Sequence, residues 1–285
     1  MEGPILLATD LDRTLLPNGR HPESPMARTY FRQFVTRPEV NLVYVTGRHQ
    51  ELTRVAMAEY ALPTPRFVIA NVGTCIYEIQ GTDWRFCEAW HKMLMSRWSE
   101  GETGQLMAAL NDLRALRLQE ASKQSPLKLS YYADNVRNPS ALLAQVRERL
   151  AAIGANMHMV WSVDETSDTG LLDILPAGAS KLHALEYLRN YLGIALEKTV
   201  FAGDSGNDME VLVSDIPSVL VANAEDTVRE EAIRQSARDT LYVAQGGLAG
   251  MNGYYSAGIL EGVIHFLPAT RAWLDALENT HEQFS

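Results

Sequence analysis

Residues 4–14, PILLATDLDRT, set the reading of the whole chain. The run at 4–9 is short and almost wholly apolar, and it stops at two carboxylates. That is the pattern of a parallel strand buried on both faces. Runs of the same kind, rich in Val, Ile and Leu and bounded by Gly, Asp or Asn, recur at 41–45, 67–70, 199–202 and 218–222. Helix-like stretches separate several of them. Ser180 is placed to cap SKLHALEYLRNYLG, where Leu182, Leu185, Leu188 and Leu192 keep near-helical spacing and Gly193 ends the segment. Alternating strands and helices predict an α/β fold, a doubly wound parallel sheet of Rossmann-like type, with its ligand site at the carboxyl ends of the strands.

The stretch 84–176 reads differently. Helical patterns at 93–116 and 140–153 alternate with strand-like segments at 127–132, 157–163 and 171–175. In the second helix Leu143, Val146, Leu150 and Ile153 form one apolar stripe, which Gly154 stops. This predicts an α+β unit, 84–176, inserted into a core made of 1–83 and 177–285, with hinges near 81–85 and 176–180. Trp84, Trp90, Trp98 and Trp161 fall in the insertion and read as packing residues rather than ligand platforms. The Gly-rich segment at 245–258 is the candidate mobile loop.

Composition narrows the function. The 285 residues are 46% hydrophobic and 21% charged, the balance of a globular protein. A formal net charge of −10, with no Lys/Arg-rich run, argues against nucleic acid or an anionic membrane as partner. No apolar run reaches the roughly 18 residues that span a bilayer, and the first residues lack the basic region of a signal peptide. Cys75 and Cys87 give neither a disulfide framework nor metal-ligand spacing. A cytoplasmic protein, a monomer or weak homodimer, is the expectation. An acidic chain repels phosphorylated ligands, so a phosphate site here must bring its own cation.

Three polar clusters sit where strands should end. Asp10 and Asp12, two residues apart, would repel each other without compensation, which a divalent cation with hard oxygen ligands such as Mg²⁺ supplies. A turn with Asx hydrogen bonds accounts for the same residues. Thr46, Gly47 and Arg48 close the run VYVTGR and offer a hydroxyl and backbone N–H groups to an oxyanion. GDSGND, at 203–208, adds Asp204 and Asp208 with Asn207 between them, and Lys181 brings positive charge at the start of a helix.

DLDRT, a strand-terminal Thr, a Lys and GDSGND in that order resemble the haloacid-dehalogenase-like phosphatases. The gap between Thr46 and Lys181 is far longer than that between Asp12 and Thr46, which in that superfamily implies a cap domain at the insertion. TDLDRTLL, VTGR, VGTCIYE, QSPLKLSYY, LLDILP and AGILEGVIHF are similar to the sucrose-phosphate phosphatases and their mannosylfructose-phosphate relatives. Arg13 stands where many such proteins carry Gly or Asn.

The resemblance implies a Mg²⁺-dependent sugar phosphatase. Asp10 would be the nucleophile and Asp12 the general acid and base, with Thr46 and Lys181 as phosphate clamps. The metal would be held by Asp10, the main-chain carbonyl of Asp12 and Asp204, with Asp208 acting through water or orienting Lys181. Thr46, Gly47, Arg48, Lys181 and Asn207 would contact the phosphate end of the substrate. Gln124, Lys128 and Asp173 would read the sugar; a structural Lys128–Asp173 ion pair is the competing account. A sucrose 6-phosphate-like disaccharide phosphate is the expected substrate. Mannosyl or trehalose phosphates, or a broad range, are alternatives that a substrate panel separates. A catalytically silent phosphosugar-binding module would be expected to lack Asp10, Asp12 or Lys181, and this chain has all three.

Overall fold

The computed structural model describes residues 3–98, 102–134, 139–164, 167, 169–237 and 239–282. Its strands are β1 (Ile5–Thr9), β2 (Val40–Val45), β3 (Phe67–Ala70), β4 (Cys75–Gln80), β5 (Asp83–Phe86), β6 (Leu116–Leu118), β7 (Leu129–Ala133), β8 (Met157–Asp164), β9 (Thr169–Pro176), β10 (Thr199–Gly203), β11 (Ser218–Leu220) and β12 (Leu241–Val243). Its helices are α1 (Ala27–Val35), α2 (Gln50–Glu59), α3 (Glu88–Met95), α4 (Glu102–Leu110), α5 (Pro139–Ala152), α6 (Lys181–Leu192), α7 (Met209–Leu212), α8 (Asp226–Gln235), α9 (Ser256–Phe266) and α10 (Arg271–Glu282).

Eight strands form one sheet in the order β12-β11-β10-β1-β2-β3-β4-β5. The six from β12 to β3 are mutually parallel, and the β4–β5 hairpin runs antiparallel at the edge. β1 is buried along its whole length because apolar layers cover both faces. Leu6 and Ala8 pack into one layer, and Ile5 and Leu7 into the other, as the two-residue period of a strand requires. The chain leaves β1 in one direction and reaches β10 on its other side only after the insertion. The carboxyl ends of β1, β2 and β10 therefore meet at the switch point where such sheets bind ligands.

The second sheet, β6-β7-β9-β8, is antiparallel and belongs to the insertion. Several sequence expectations shift here. The single helix expected at 93–116 is two, because α3 stops at Met95. The Ser96 hydroxyl then donates to the Met93 carbonyl (2.7 Å), the local competition that weakens serine inside helices. In α5 the buried stripe is Leu142, Val146 and Leu150, while Ile153 is exposed. The β4–β5 hairpin keeps the chain on the larger sheet as far as Phe86, past the boundary expected after residue 83, and Trp84 stacks under Arg54 there. Trp90 and Trp98 are buried packing residues, and Trp90 Nε1 donates to the Gly73 carbonyl (3.0 Å).

Candidate active site

Lys181 is the hub of the site. Ser180 caps α6, accepting from His183 N (3.3 Å), and so places Lys181 at the helix start, pointing under the carboxyl ends of β1 and β10. The Lys181 side chain is 1% exposed, a costly position for a charge without partners. Its Nζ donates to Asp10 Oδ1 (2.7 Å), Asn207 Oδ1 (2.6 Å) and Asp208 Oδ1 (2.7 Å), so each of its three protons has an acceptor.

Asp208 is itself wired to the backbone. Its Oδ2 accepts from the N–H groups of Asp204 and Ser205, both at 3.1 Å. This is why Gly203 must be glycine: a Cβ there would lie 2.6 Å from Asp208 Cγ. Asp204 accepts from the Thr14 hydroxyl (2.7 Å), and Arg13 Nε lies 3.4 Å from its other oxygen. Arg13 sits at φ 59, the left-handed region that Gly and Asn enter most readily. The Asn223 side chain holds that turn by donating to the Arg13 carbonyl (2.6 Å).

Asp10, Asp204 and Asp208 bring carboxylate oxygens within 4.8 Å of one another, all three buried. Burial pushes Asp10 up to about 7 despite the opposing pull of Lys181. Asp204 is raised well above the usual carboxylate range, by burial first and then by the charges of Asp10 and Asp208. Burial alone would lower Lys181, yet Asp10 and Asp208 outweigh it and hold the ammonium charged. Lys181 and Arg13 bring two positive charges against three carboxylates. The excess negative charge and an all-oxygen donor set are what a hard divalent cation such as Mg²⁺ fits.

Asp12 stands apart from that cluster. Arg48 grips it with two hydrogen bonds, Nε to Oδ2 (2.8 Å) and Nη2 to Oδ1 (2.6 Å), and Asn18 donates to Oδ1 (2.8 Å). Burial raises its pKa, but the Arg48 and Asn18 contacts outweigh this and leave it below the usual value. Thr46 is fully buried; its Oγ1 accepts from Arg48 N (3.1 Å) and its carbonyl from Val72 N (3.1 Å). Asn71 (φ 50) and Val72 (φ 58) are both left-handed, a genuine outlier for a β-branched residue and a sign of local strain at the cleft. The following Gly73 (φ 99) lies so close to the Ser180 carbonyl that no side chain fits between them. The motif VGTCIYE thus braces the turn that presents Lys181.

A cavity of about 220 Å³ lies between the two lobes over these residues, and Asp10, Arg48 and His49 line it from below. Lys123, Lys128 and Asp173 face it from the inserted lobe. Of the three residues expected to read a sugar, Lys128 and Asp173 line this cavity and Gln124 does not. Gln124 instead donates to the carbonyls of Gln119 (3.0 Å) and Ser130 (2.9 Å) and accepts from Ser130 N (2.8 Å), pairing backbone groups beside β7. Lys123 and Gln119 on the cavity wall were not singled out from sequence; nothing in their local pattern separates them from surface polar residues.

The Gly-rich segment is pinned rather than loose. Glu261 on α9 accepts from Gln245 N (2.8 Å) and Gly246 N (2.9 Å), and Tyr255 N donates to Asn223 Oδ1 (3.0 Å). Through Asn223 the segment supports Arg13, a scaffolding role invisible in its composition.

The family model of sucrose-6F-phosphate phosphohydrolase matches residues 3–267. A HAD-like hydrolase of Nitrosococcus oceani is 48% identical over 96% of this chain and 75% of its own length. Sucrose-phosphatase 1 of Nicotiana tabacum is 27% identical over 92% of this chain, which spans only 59% of the tobacco protein. The structure is similar to that of the sucrose-phosphatase from Synechocystis sp. PCC6803 in complex with sucrose and phosphate. The TM-score is 0.78 and the identity 26%, over 93% of this chain and 98% of that one.

Proposed function

The chain belongs to the sucrose-6F-phosphate phosphohydrolase family within the haloacid-dehalogenase superfamily, a family of phosphoric monoester hydrolases, and from that membership and the site geometry we propose that it is a Mg²⁺-dependent phosphatase of a sucrose 6-phosphate-like disaccharide phosphate. The observation that carries this reading is Lys181, a buried lysine that ties Asp10 to both Asn207 and Asp208. That wiring orients one carboxylate at the cavity floor with a fixed cation beside it.

Asp10 Oδ1 is engaged by Lys181, which leaves Oδ2 to attack phosphorus and form an aspartyl-phosphate. Lys181, Thr46 and the N–H groups after β2 neutralise and orient the phosphoryl oxygens. Asp12 gives a proton to the departing sugar oxygen and later takes one from the water that cleaves the intermediate. Its grip by Arg48 favours the ionised form needed for the second step. To act as the acid in the first step, Asp12 must first take up a proton from solvent, which requires its Arg48 contact to loosen when substrate binds. Asp10 and Asp204, with the Asp12 carbonyl and Asp208 beside them, would hold Mg²⁺, which supplies charge neutralisation for the incoming dianion. Lys128 and Asp173 take the sugar hydroxyls.

Phosphate release across sucrose 6-phosphate, mannosylfructose phosphate, trehalose 6-phosphate and glucose 6-phosphate tests the reading. The expected order places a disaccharide phosphate first by kcat/KM. Equal rates on all four would contradict a disaccharide substrate, and no release from any would contradict phosphatase activity.

A further inference from the structure

A second cavity of about 610 Å³ opens beside the first, between the loop that follows β1 and strand β8. It shares Asp12, Arg13, Ser162, Leu171, Ser205 and Asn207 with the first cavity. It continues the cleft outward past Asn18, Gly19 and Arg20, and neither Lys128 nor Asp173 lines it. Arg20 stands on its wall, an exposed guanidinium with no ion-pair or hydrogen-bond partner among the described residues. Arg13 lies on the same wall, beside Asp204. Two carboxylates also border the space. Asp12 is already balanced by Arg48, and Asp164 takes part in other interactions.

The chain as a whole carries a formal charge of −10, so a phosphomonoester dianion approaching at random meets repulsion. Unspent positive charge at the mouth of a low-dielectric cleft reverses this locally and focuses the field inward. A sugar filling the first cavity would also block that route for phosphate leaving Asp10. We infer that the second cavity is an anion vestibule, through which phosphate dianions, the substrate's phosphoryl head and the inorganic phosphate product alike, pass under the pull of Arg20. Arg20 is a positioning residue here and does not touch the reacting atoms. The inference rests on the phosphatase reading.

The test is hydrolysis of p-nitrophenyl phosphate with Mg²⁺ by the full chain and its Arg20→Glu and Arg20→Lys variants, at two ionic strengths. Near 0.01 M the field reaches about 30 Å, and near 1 M only about 3 Å. At the low value Arg20→Glu should lose about tenfold in kcat/KM, keep kcat within about twofold, and need about tenfold more inorganic phosphate for product inhibition. At the high value both gaps should close. Arg20→Lys, which keeps the charge, should stay within about threefold of wild type throughout. A purely structural Arg20 would give a loss independent of salt and a lowered Tm. That result, or an Arg20→Glu variant equal to wild type at low salt, overturns the vestibule while leaving the phosphatase reading intact. A wild-type protein that hydrolyses no phosphomonoester overturns both.

Discussion

Two buried lysines, Lys128 lining the cavity and Lys181 beneath its lining residues Asp10 and Asn207, are built in opposite ways. Lys181 has three acceptors at 2.6–2.7 Å for its three protons. Lys128, 6% exposed, has Asp173 at 3.7 Å as its one side-chain partner among the described residues, and Asp173 in turn accepts a hydrogen bond from the Ser130 hydroxyl. The first lysine is saturated by the protein and so fixes geometry. The second keeps donors in reserve, which a buried cation retains only at a cost unless a ligand completes its shell. On the reading proposed above, the contrast separates a chemical floor fixed by the protein from a wall whose polar groups are left for a substrate.

Removing the saturated lysine should give the larger effect. Lys181→Ala is expected to lower kcat by at least about a thousandfold, because the fixed charge at the developing oxyanion is lost. It should also cost about 3–5 kcal/mol of stability, since it leaves buried carboxylates uncompensated. Denaturant melts beside turnover would check both. A Lys181→Ala protein as stable as wild type would break the contrast.

On the recognition wall, Lys128→Ala and Asp173→Ala should reduce kcat/KM for the best disaccharide phosphate by about 10- to 100-fold, or roughly 1.4–2.7 kcal/mol. Hydrolysis of p-nitrophenyl phosphate, with no sugar to read, should change little. Equal losses on both substrates, with a fall in Tm, would mean that the pair is structural and that the two lysines differ only in degree.

The floor should also reveal itself through pH when metal is removed. Asp10 titrates near 7 in the folded chain against 3.8 for a free carboxyl. The folded state therefore holds a proton that the unfolded state has lost. That stabilisation is complete below about pH 4 and disappears as pH rises through about 7. With EDTA, stability should drop by about 1–3 kcal/mol between about pH 5 and pH 8. Added Mg²⁺ should flatten the slope by replacing the proton. A slope unaffected by Mg²⁺ would place the cation elsewhere. The smallest effect belongs to Gln124→Ala, which should cost about 1–2 kcal/mol of stability through unpaired backbone groups and leave the ratio of sugar-phosphate to p-nitrophenyl phosphate activity unchanged.

What could be read in the sequence follows the same division. Asp10, Thr46, Asp204 and the Lys181 helix start each lie at the end of a buried run or behind a cap, so local pattern locates them. The switch-point topology then brings them together. The wall is assembled across strands, and there a polar residue looks the same whether it meets a ligand or a carbonyl. Lys128 and Gln124 sit four residues apart in one stretch, yet one lines the cavity and the other stitches backbone. The left-handed turn at Asn71 and Val72 and the Asn223 strut under Arg13 are set by backbone torsion and long-range contact, and no periodicity encodes either. The Gly-rich segment misled for the converse reason: its glycines suggest freedom, while the constraint comes from Glu261 and Asn223 elsewhere in the chain.

The central claim is that the floor exists to make Asp10 a nucleophile, and acid quenching during turnover tests it directly. Wild-type protein with Mg²⁺ and sucrose 6-phosphate, stopped in the steady state and digested, should yield the peptide containing Asp10 with one added phosphoryl group. Asp10→Asn should yield none and show no turnover. A phosphoryl group on any other residue, or an Asp10→Asn variant that keeps even about a tenth of wild-type kcat, would contradict the account.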